Sequence, residues 1–408
     1  MIQVCRMCKS KHWTVFLDLG YTPPADQFLR KEQLKEPETY YPLRVAVCDD
    51  CGLIQLDHVV SPEVLYKHDY PYESSITNTG QKHWKEFADT VSNLLQLKKD
   101  DLVVDIGSNV GVLLSAFKEN GVKILGVDPA TNIVRIAEQR GIETLNEFFN
   151  LNTAEMIVKS HGRASVITGT NVFAHIDDLD NIMDAVLLLM KEDGSFVVEA
   201  PYFAHLLENL EYDTIYHEHV SYISIKPLAR YLNSFGLEIY NIQQRDIHGG
   251  SVRIFISRMG KNKVDSIVSK MIQNENEAGI YTHEKLFDFA KKVAENRMEL
   301  TWLIRKLKSE GNRIVAVSAP AKGMTLLNYC RLGNELIDFV TEKSTLKIGR
   351  YTPGVHIPVT TDQMLVDEMP EYALLLAWNF AEEIMNNLSE YKRKGGKFII
   401  PIPKPIII

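Results

Sequence analysis

The stretch from Val103 to Asp128, VVDIGSNVGVLLSAFKENGVKILGVD, constrains the fold more than any other part of the chain. It consists of an apolar run, a glycine turn, an apolar helical pattern and a second apolar run that ends at Asp128. Short apolar runs are typical of buried parallel strands, and this order is the βαβ unit of a doubly wound sheet. The sequence therefore predicts an α/β fold with a ligand crevice at this turn.

The turn indicates a ligand that contains adenosine. Gly107 and Gly111 allow the backbone to approach a bound molecule closely, and Asp128 offers a carboxylate to a pair of ribose hydroxyls. The spacing is Gly-x-x-x-Gly, whereas a dinucleotide site uses Gly-x-Gly-x-x-Gly to seat a pyrophosphate on the helix. We therefore expect S-adenosylmethionine, which has no phosphate. A nicotinamide or flavin dinucleotide and a βαβ unit without a ligand are the alternatives.

Two further residues follow later strands of the alternating pattern, where ligands bind in a doubly wound sheet. Phe148 lies where the third strand meets its helix, and Asn171 comes directly after the fourth. The residues expected to bind the cofactor are Asp105, Gly107, Asn109, Gly111, Asp128, Phe148 and Asn171.

The N-terminal segment contains two CxxC pairs, Cys5 with Cys8 and Cys48 with Cys51. Two such pairs supply four thiolates, the ligand set of a closed tetrahedral zinc site. Because sulfur would fill all four positions, the single Zn²⁺ ion is expected to be structural. Free thiols or a redox pair are the alternative.

Composition excludes some classes of function. A net charge of −8 and a pI near 5.9 argue against a general nucleic-acid binder, which needs a basic surface. No apolar run approaches the length of a membrane span, and the N-terminus lacks the apolar core of a signal peptide. We expect two or three domains, a cytoplasmic location, no membrane partner and a monomer.

The run DTIYHEHVSY, residues 213–222, concentrates groups that can transfer protons. It predicts a histidine general base oriented by its neighbours. A second metal site and a structural cluster are the alternatives; on a strand, His217 and His219 would share one face. An earlier connector, residues 66–84, includes Tyr70 and Tyr72, followed by Ser74 and Ser75. It is expected to be a flap over the cofactor, or else a linker packed on its neighbour.

Three places suggest binding of an anion. In DIHGGSVR, two glycines precede Ser251 and Arg253, a pattern that can form a backbone nest with a cationic partner. A plain β-turn is the alternative. A second, smaller doubly wound unit begins near residue 313 and carries Lys322 after its first strand and Arg350 after a later one. Solvated surface cations are the alternative there.

Taken together, these motifs resemble the zinc-binding, three-domain C-methyltransferases of deoxysugar pathways, and the resemblance covers the whole chain. That family methylates a carbon, commonly C3, of a nucleotide-linked 4-keto-6-deoxysugar. The motifs that carry it are the CxxC pairs, DIGSNVG, GVDP, NVFAHIDD, IYHEHVSY, HGGSVR, SAPAKG and KIGRYTPGVHIP. It implies a zinc-binding lobe with its connector at 1–75, a central class I methyltransferase domain at 76–258, and a helical bridge with a C-terminal Rossmann-like domain at 259–408.

The resemblance also implies which residues take part in catalysis. His219 matches the family's general base, which would remove the proton from C3 beside the 4-keto group. The family's supporting positions are matched by Tyr216, Glu218, His175 and one of the pair Tyr70 and Tyr72. Glu218 is expected to orient His219, and His175 or Tyr216 to donate a hydrogen bond to the enolate oxygen.

The C-terminal unit of the family helps to bind the nucleotide diphosphate, a role that falls here on Lys322 and Arg350. The nucleotide implied is thymidine diphosphate, with guanosine and cytidine diphosphate as alternatives. One strand departs from the family's Asp-x-Asn or Asp-x-Ser ending and reads Thr341-Glu342-Lys343, which leaves the contacts to the base open.

Other functions are alternatives to this one. An O- or N-methyltransferase would need no base that forms an enolate, and a non-enzymatic nucleotide sensor would have little need for the Tyr216–His219 cluster. Methylation at C5 of the same sugar class is a further alternative to C3.

Overall fold

A computed structural model describes residues 2–67, 69–73, 78–245 and 249–408. The strands are β1 Trp13–Thr22, β2 Tyr41–Cys48, β3 Ile54–Leu56, β4 Leu102–Ile106, β5 Lys123–Val127, β6 Thr144–Leu145, β7 Ala164–Thr170, β8 Met190–Pro201, β9 Ser221–Tyr222, β10 Leu237–Arg245, β11 Ser251–Arg258, β12 Ile314–Val317, β13 Val340–Glu342, β14 Val359–Thr361, β15 Tyr372–Leu375, β16 Lys397–Ile400 and β17 Ile406–Ile407.

Helices alternate with these strands from residue 62 onwards. They are α1 Pro62–Tyr66, α2 Asn78–Leu94, α3 Val112–Glu119, α4 Thr131–Gln139, α5 Leu151–His161, α6 Leu179–Leu189, α7 Phe203–Glu208, α8 Ile225–Asn233, α9 Ser266–Glu277, α10 His283–Ser309, α11 Ala321–Cys330, α12 Asp362–Glu368, α13 Ala381–Asn387 and α14 Ser389–Arg393. None of the described helices combines the length and the apolar character that crossing a bilayer requires.

The central sheet has seven strands in the order β10-β11-β8-β7-β4-β5-β6. The strands from β4 to β8 are parallel, and β11 and β10 extend the sheet in an antiparallel hairpin. Every residue of β4 is buried because helices cover both faces of the sheet. The chain leaves β4 towards β5 on one side and returns to β7 on the other, so the carboxyl end of β4 is a topological switch point, where ligands bind in such sheets.

The C-terminal sheet repeats this plan on a smaller scale. Its order is β14-β13-β12-β15-β16-β17, and all pairs except β16 with β17 are parallel. Its first strand, β12, is the switch point, and α11 follows it directly. The predicted α/β class with a second doubly wound unit is confirmed.

The N-terminal sheet is antiparallel, and its order is β1-β2-β3-β9. Its last strand, β9, comes from the middle of the chain, because Ile54 pairs with Tyr222 and Gln55 with Ser221. The long helix α10 joins this sheet to the C-terminal unit through one hydrophobic core. The domain boundaries placed at residues 75 and 258 stay a prediction.

The four cysteines of the CxxC pairs come together beside this sheet. Their sulfur atoms all lie within 4.8 Å of one another, and three of the four residues are buried. The distance between the Sγ atoms of Cys5 and Cys51 is 3.7 Å, and that between Cys8 and Cys48 is 3.5 Å. Four convergent thiols fit one tetrahedral zinc ion, so the predicted zinc site is confirmed.

We predict that Cys48→Ser, or treatment with a strong chelator, removes one zinc ion per chain and lowers the melting temperature by on the order of 10 °C, since metal binding is coupled to folding of a small lobe. Elemental analysis and thermal denaturation measure both effects. Cys330→Ala is the control, because Cys330 is buried away from the cluster and its loss should leave the zinc content unchanged. An unaltered melting curve after complete zinc removal would contradict a structural role.

Candidate active site

A cavity of about 1080 Å³ lies where the carboxyl edges of the central and C-terminal sheets face each other. Gly107, Asp128 and Asn171, which follow β4, β5 and β7, line one side. Ser318 and Glu342, at the ends of β12 and β13, line the other. Ligands of doubly wound sheets bind outside such edges, so two ligands can meet in this one space.

The glycine turn after β4 has a backbone that larger residues cannot reproduce. Gly107 has a φ of +64°, and a Cβ atom there would overlap the side chain of Val172. Gly111 has a φ of +78°, and its Cβ would lie 2.8 Å from Cγ2 of Ile142. Both glycines therefore keep the turn narrow at the cavity wall.

The carboxylate of Asp128 is fixed by two backbone amides. Oδ2 accepts a hydrogen bond from the amide of Asn109 and Oδ1 one from Ala130, both at 2.9 Å. Burial raises the pKa of this carboxyl, while the two amides act in the opposite direction. The carboxylate thus lies at the cavity with lone pairs left for hydroxyl donors, as a ribose requires.

Other polar atoms at the cavity also fit a ligand. Oδ1 of Asn171 and Oγ of Ser108 are buried and have no hydrogen-bond partner among the described residues. Buried polar atoms are normally paired, so the unpaired Asn171 oxygen suits the cofactor expected there. Oγ of Ser108 instead lies against β5, where a Cβ atom on Gly126 would overlap it. Phe148 lines the same part of the cavity.

Asp105 also borders the cavity, but its carboxylate has a partner inside the sheet. Its Oδ1 accepts a hydrogen bond of 2.6 Å from the hydroxyl of Thr168 on β7. Burial raises the pKa of Asp105 to about 7. The structure thus shows Asp105 joining two strands, and its direct contact with the cofactor stays a prediction.

Two histidines lie together on the cavity wall. The rings of His175 and His219 are 4.9 Å apart between centroids, and Tyr216 packs against His219 at 4.0 Å. Tyr66 stacks on His175, and its hydroxyl is 3.3 Å from Nδ1 of that ring. Burial lowers the pKa of His175 well below its ordinary value and raises that of Tyr216, so both are neutral at pH 7.

The tautomer of His219 is set by the backbone. Its Nδ1 lies 2.7 Å from the carbonyl oxygen of Thr214, an acceptor, so the ring proton is on Nδ1 and Nε2 carries the lone pair. The Thr214 carbonyl thus orients the ring through Nδ1, and a part for Glu218 in orienting it stays a prediction. Sequence reasoning missed Thr214, since a backbone contact leaves no signature in residue type.

His217 and His219 do not share a face, because residues 215–220 form a turn instead of a strand. His217 is 1% exposed and packs edge-on against Tyr41, 5.9 Å between ring centroids. Burial lowers the pKa of His217 to about 4. Within the described ranges, the four cysteines form the only cluster that could hold a metal ion, which leaves the second metal site without support.

The connector lies over the cofactor side of the cavity. Tyr70 and Tyr72 both line it, and their rings are 6.3 Å apart. The side chain of Asn132 on α4 bonds the backbone of Tyr70 twice, at 2.8 and 3.3 Å. The backbone of Tyr72 accepts a hydrogen bond from Asn109 at 3.1 Å. Ser74 and Ser75 lie outside the described residues.

Of the two cations of the C-terminal unit that were predicted to bind an anion, the structure places one in the cavity wall and the other outside it. Lys322 lines the cavity, with Nζ 3.5 Å from Asp213 and 4.1 Å above the ring of Trp378. Arg350 is not part of the cavity wall that the described residues form. Its guanidinium instead makes two bonds of 2.8 Å to Asp69 of the connector, and its contact with the nucleotide stays a prediction.

The predicted nest around Ser251 and Arg253 is corrected. Arg253 is 0% exposed, stacks on Phe87 and bonds Glu199 at 2.8 Å and Glu86 at 3.1 Å. Ser251 is equally buried at the start of β11. Arg253 thus neutralises carboxylates inside the protein, and His248 of the same motif lies outside the described residues.

The glycines of that motif have a packing role. A Cβ atom on Gly249 would overlap the carboxylate of Glu211, and one on Gly250 would overlap the ring of His205. A carboxylate already lies against this turn, which disfavours a second anion there.

Two residues that the sequence did not single out as site residues line the cavity, Asp26 and Glu342. Lys347, one of the cations that follow a later strand of the C-terminal unit, lines it as well. Glu342 ends β13, and its Oε2 accepts a hydrogen bond of 2.7 Å from the amide of Ala319 in the loop after β12. An acid at the end of the second strand is the signal that identified Asp128. The same signal could have identified Glu342.

Comparison with known proteins places the chain in a family. Family models match a zinc binding domain at residues 5–66, a methyltransferase domain at 80–242 and a C-methyltransferase C-terminal domain at 246–403. C-methyltransferase NovU of Streptomyces niveus is 37% identical over all of this chain and 97% of its own length. The chain belongs to the three-domain, zinc-binding C-methyltransferases. It is thus an S-adenosylmethionine-dependent methyltransferase.

More distant relatives match less than half of this chain. A ubiquinone biosynthesis O-methyltransferase of Leptothrix cholodnii is 24% identical over 41% of this chain and 75% of its own. A solved S-adenosylmethionine-dependent methyltransferase of Clostridium acetobutylicum is 15% identical, with a TM-score of 0.36 over 44% of this chain and 92% of that one.

We predict that Asp128→Asn weakens binding of S-adenosylmethionine by about 10- to 100-fold, because it removes the charge of an acceptor aimed at hydroxyl donors. Isothermal titration calorimetry measures the effect. Asp100→Asn is the matched control, since the Asp100 side chain is 91% exposed and should leave affinity unchanged. Wild-type affinity in the Asp128 variant would remove this residue from the cofactor site.

Arg253→Leu should lower the free energy of unfolding by about 3–5 kcal/mol, because the buried Glu199 loses the guanidinium that bonds it and keeps only the weaker partner His83 among the described residues. Arg350→Gln breaks a pair whose carboxylate is half-exposed, so its cost should be smaller. Denaturant titration compares the two. A stable Arg253 variant that loses only substrate affinity would support the predicted anion site at Ser251 and Arg253.

Proposed function

We propose that this enzyme methylates C3 of a nucleotide-linked 4-keto-6-deoxysugar, with thymidine diphosphate as the nucleotide. The observation that carries the proposal is the position of His219. It lies on the wall of a cavity shared by the cofactor turn and the C-terminal unit, and the Thr214 carbonyl holds its Nδ1. A carbon acceptor agrees with the family to which the chain belongs. The nucleotide sugar comes from the motif resemblance.

Carbon becomes a nucleophile only when a neighbouring carbonyl acidifies its C–H bond, and a 4-ketosugar has that carbonyl. His219 takes the C3 proton on Nε2, and the Thr214 carbonyl stabilises the charged ring that results. Negative charge then develops on the ketone oxygen, where the hydroxyl of Tyr216 and the neutral ring of His175 can donate hydrogen bonds. S-adenosylmethionine supplies the electrophilic methyl group.

The two sheets position the reactants. The glycine turn and Asp128 hold the cofactor on the central sheet, and Lys322 offers a cation to the diphosphate on the C-terminal sheet. Holding both reactants in one cavity converts a bimolecular step into an oriented one. The zinc ion takes no part in the chemistry.

The experiment that tests this function is incubation of the protein with a thymidine diphosphate 4-keto-6-deoxyhexose in heavy water, with and without S-adenosylmethionine. Mass spectrometry should show deuterium uptake beside the carbonyl when cofactor is left out. With cofactor, a methyl group should replace the exchangeable hydrogen at the same carbon. A methyl gain on oxygen would favour the O-methyltransferase. Exchange and methylation at C5 would show that C5, and not C3, is the methyl acceptor.

We predict that His219→Asn lowers turnover by about 10²- to 10⁴-fold, since it removes the base while the amide can still bond the Thr214 carbonyl. Deuterium exchange should fall in parallel, and binding of S-adenosylmethionine, measured by calorimetry, should stay near that of wild type. His283→Asn is the control, because its ring lies exposed on α10. Full turnover in the His219 variant would exclude this base.

A further inference from the structure

Three ionisable residues, one from each part of the chain, meet at the wall of the active-site cavity. Asp26 belongs to the N-terminal lobe, Glu218 to the catalytic turn and Lys347 to the C-terminal unit. All three are buried, with exposures of 8%, 2% and 5%. Charged side chains are rarely so buried unless they are paired, so their arrangement needs an explanation.

The cation of the cluster is held firmly between two units. Nζ of Lys347 lies 3.1 Å from Oδ1 of Asp26 and donates a hydrogen bond of 2.8 Å to the carbonyl oxygen of Ala319. The same ammonium lies 4.7 Å from the ring centroid of Phe28. Lys347 therefore has Asp26 as its direct ionic partner.

Glu218 faces this ion pair from the third unit. Asp26 presents both its backbone amide and its carboxylate to Glu218, and Oε2 of Glu218 has no hydrogen-bond partner among the described residues. Among the described residues, the other ionisable side chains that act on Glu218 or respond to its charge are Lys347 and the phenols of Tyr66, Tyr70 and Tyr216. His219 follows Glu218 in the same turn. Among these groups Lys347 is the one cation, and it is already shared with Asp26.

The charge balance decides the state of Glu218. Two carboxylates beside one ammonium would leave a net negative charge in a buried space, where an unpaired charge is costly. Burial and the charge of Asp26 raise the pKa of Glu218 to about 8, and Lys347 opposes this rise. A proton therefore stays on Glu218 at pH 7.

We propose that Asp26 and Lys347 are positioning residues that keep Glu218 as a neutral carboxylic acid, able to donate a hydrogen bond to the substrate oxygen on which charge develops. The inference rests on the proposed function for the identity of that oxygen. No proton leaves Glu218 in the step: the C3 proton goes to His219, and the carbonyl re-forms when the methyl group has been transferred. A carboxylic acid kept neutral at pH 7 by its surroundings can act as such a donor.

The protonation state can be measured without substrate. The protein is labelled with ¹³C at the glutamate carboxyl carbons and titrated by NMR, and Glu218→Gln identifies the signal by its loss. The wild-type signal should titrate near pH 8. Asp26→Asn should lower this midpoint and Lys347→Met should raise it, each by about one pH unit or more, because the two removed charges have opposite signs.

Opposite shifts of the Glu218 titration midpoint distinguish this role from a structural one, since loosened packing would shift the midpoint in the same direction in both variants. Shifts in the same direction, or a wild-type carboxyl that is ionised below pH 6, would overturn the proposal. Lys347→Arg retains the cation and should keep the wild-type midpoint, which preserves the test if Lys347→Met fails to fold. Asp288→Asn and Lys292→Met remove an exposed pair on α10 and should leave the midpoint unchanged.

The pH dependence of kcat supplies the second readout. Activity should fall at alkaline pH as Glu218 ionises. The pH at which it falls should therefore be lower in Asp26→Asn and higher in Lys347→Met. An unchanged pH of this fall together with shifted NMR midpoints would show that Glu218 does not donate to the reacting oxygen, which overturns the proposal. If the ketosugar is no substrate at all, the proposed function fails while the NMR test still decides the state of Glu218.

Discussion

The pairing of two short strands, β3 and β9, determines where the histidines of the active site lie. β9 begins two residues after His219, so the backbone bonds from Ile54 and Gln55 hold the end of the catalytic turn on the N-terminal sheet. A second link comes from Arg6, which bonds Asp177 at 2.8 Å and the carbonyl of Leu56 at 2.9 Å. Both links depend on a lobe too small to bury a core of its own.

The zinc site is therefore placed to support the proposed chemistry without taking part in it. Arg6 follows Cys5 directly, and Asp177 lies two residues beyond His175. The cysteine cluster thus fixes an arginine whose guanidinium holds the loop of one histidine, while the same sheet holds the other. Precise placement of reacting groups is worth several kcal/mol of the barrier, so a structural metal can support the reaction from a distance.

The same hydrogen bond occurs in both doubly wound units. At the end of the second strand of each doubly wound unit, a carboxylate accepts a hydrogen bond from the amide of the loop after the first strand: Asp128 from Asn109, and Glu342 from Ala319. This bond holds each loop in the shape that faces the cavity. In both units the carboxylate occupies an amide that an anion would otherwise use.

The sequence by itself determined the βαβ unit with its glycine turn, the four zinc ligands and the histidine cluster, because each depends on local spacing that residue types record directly. It did not determine the role of an isolated charge. Arg253 and Arg350 had the composition of anion sites, yet one is enclosed with Glu199 and the other is bonded to Asp69. Only the tertiary structure brought Asp26 and Lys347 beside Glu218, since they lie far apart in the chain, and burial then decides which of these groups keeps its charge.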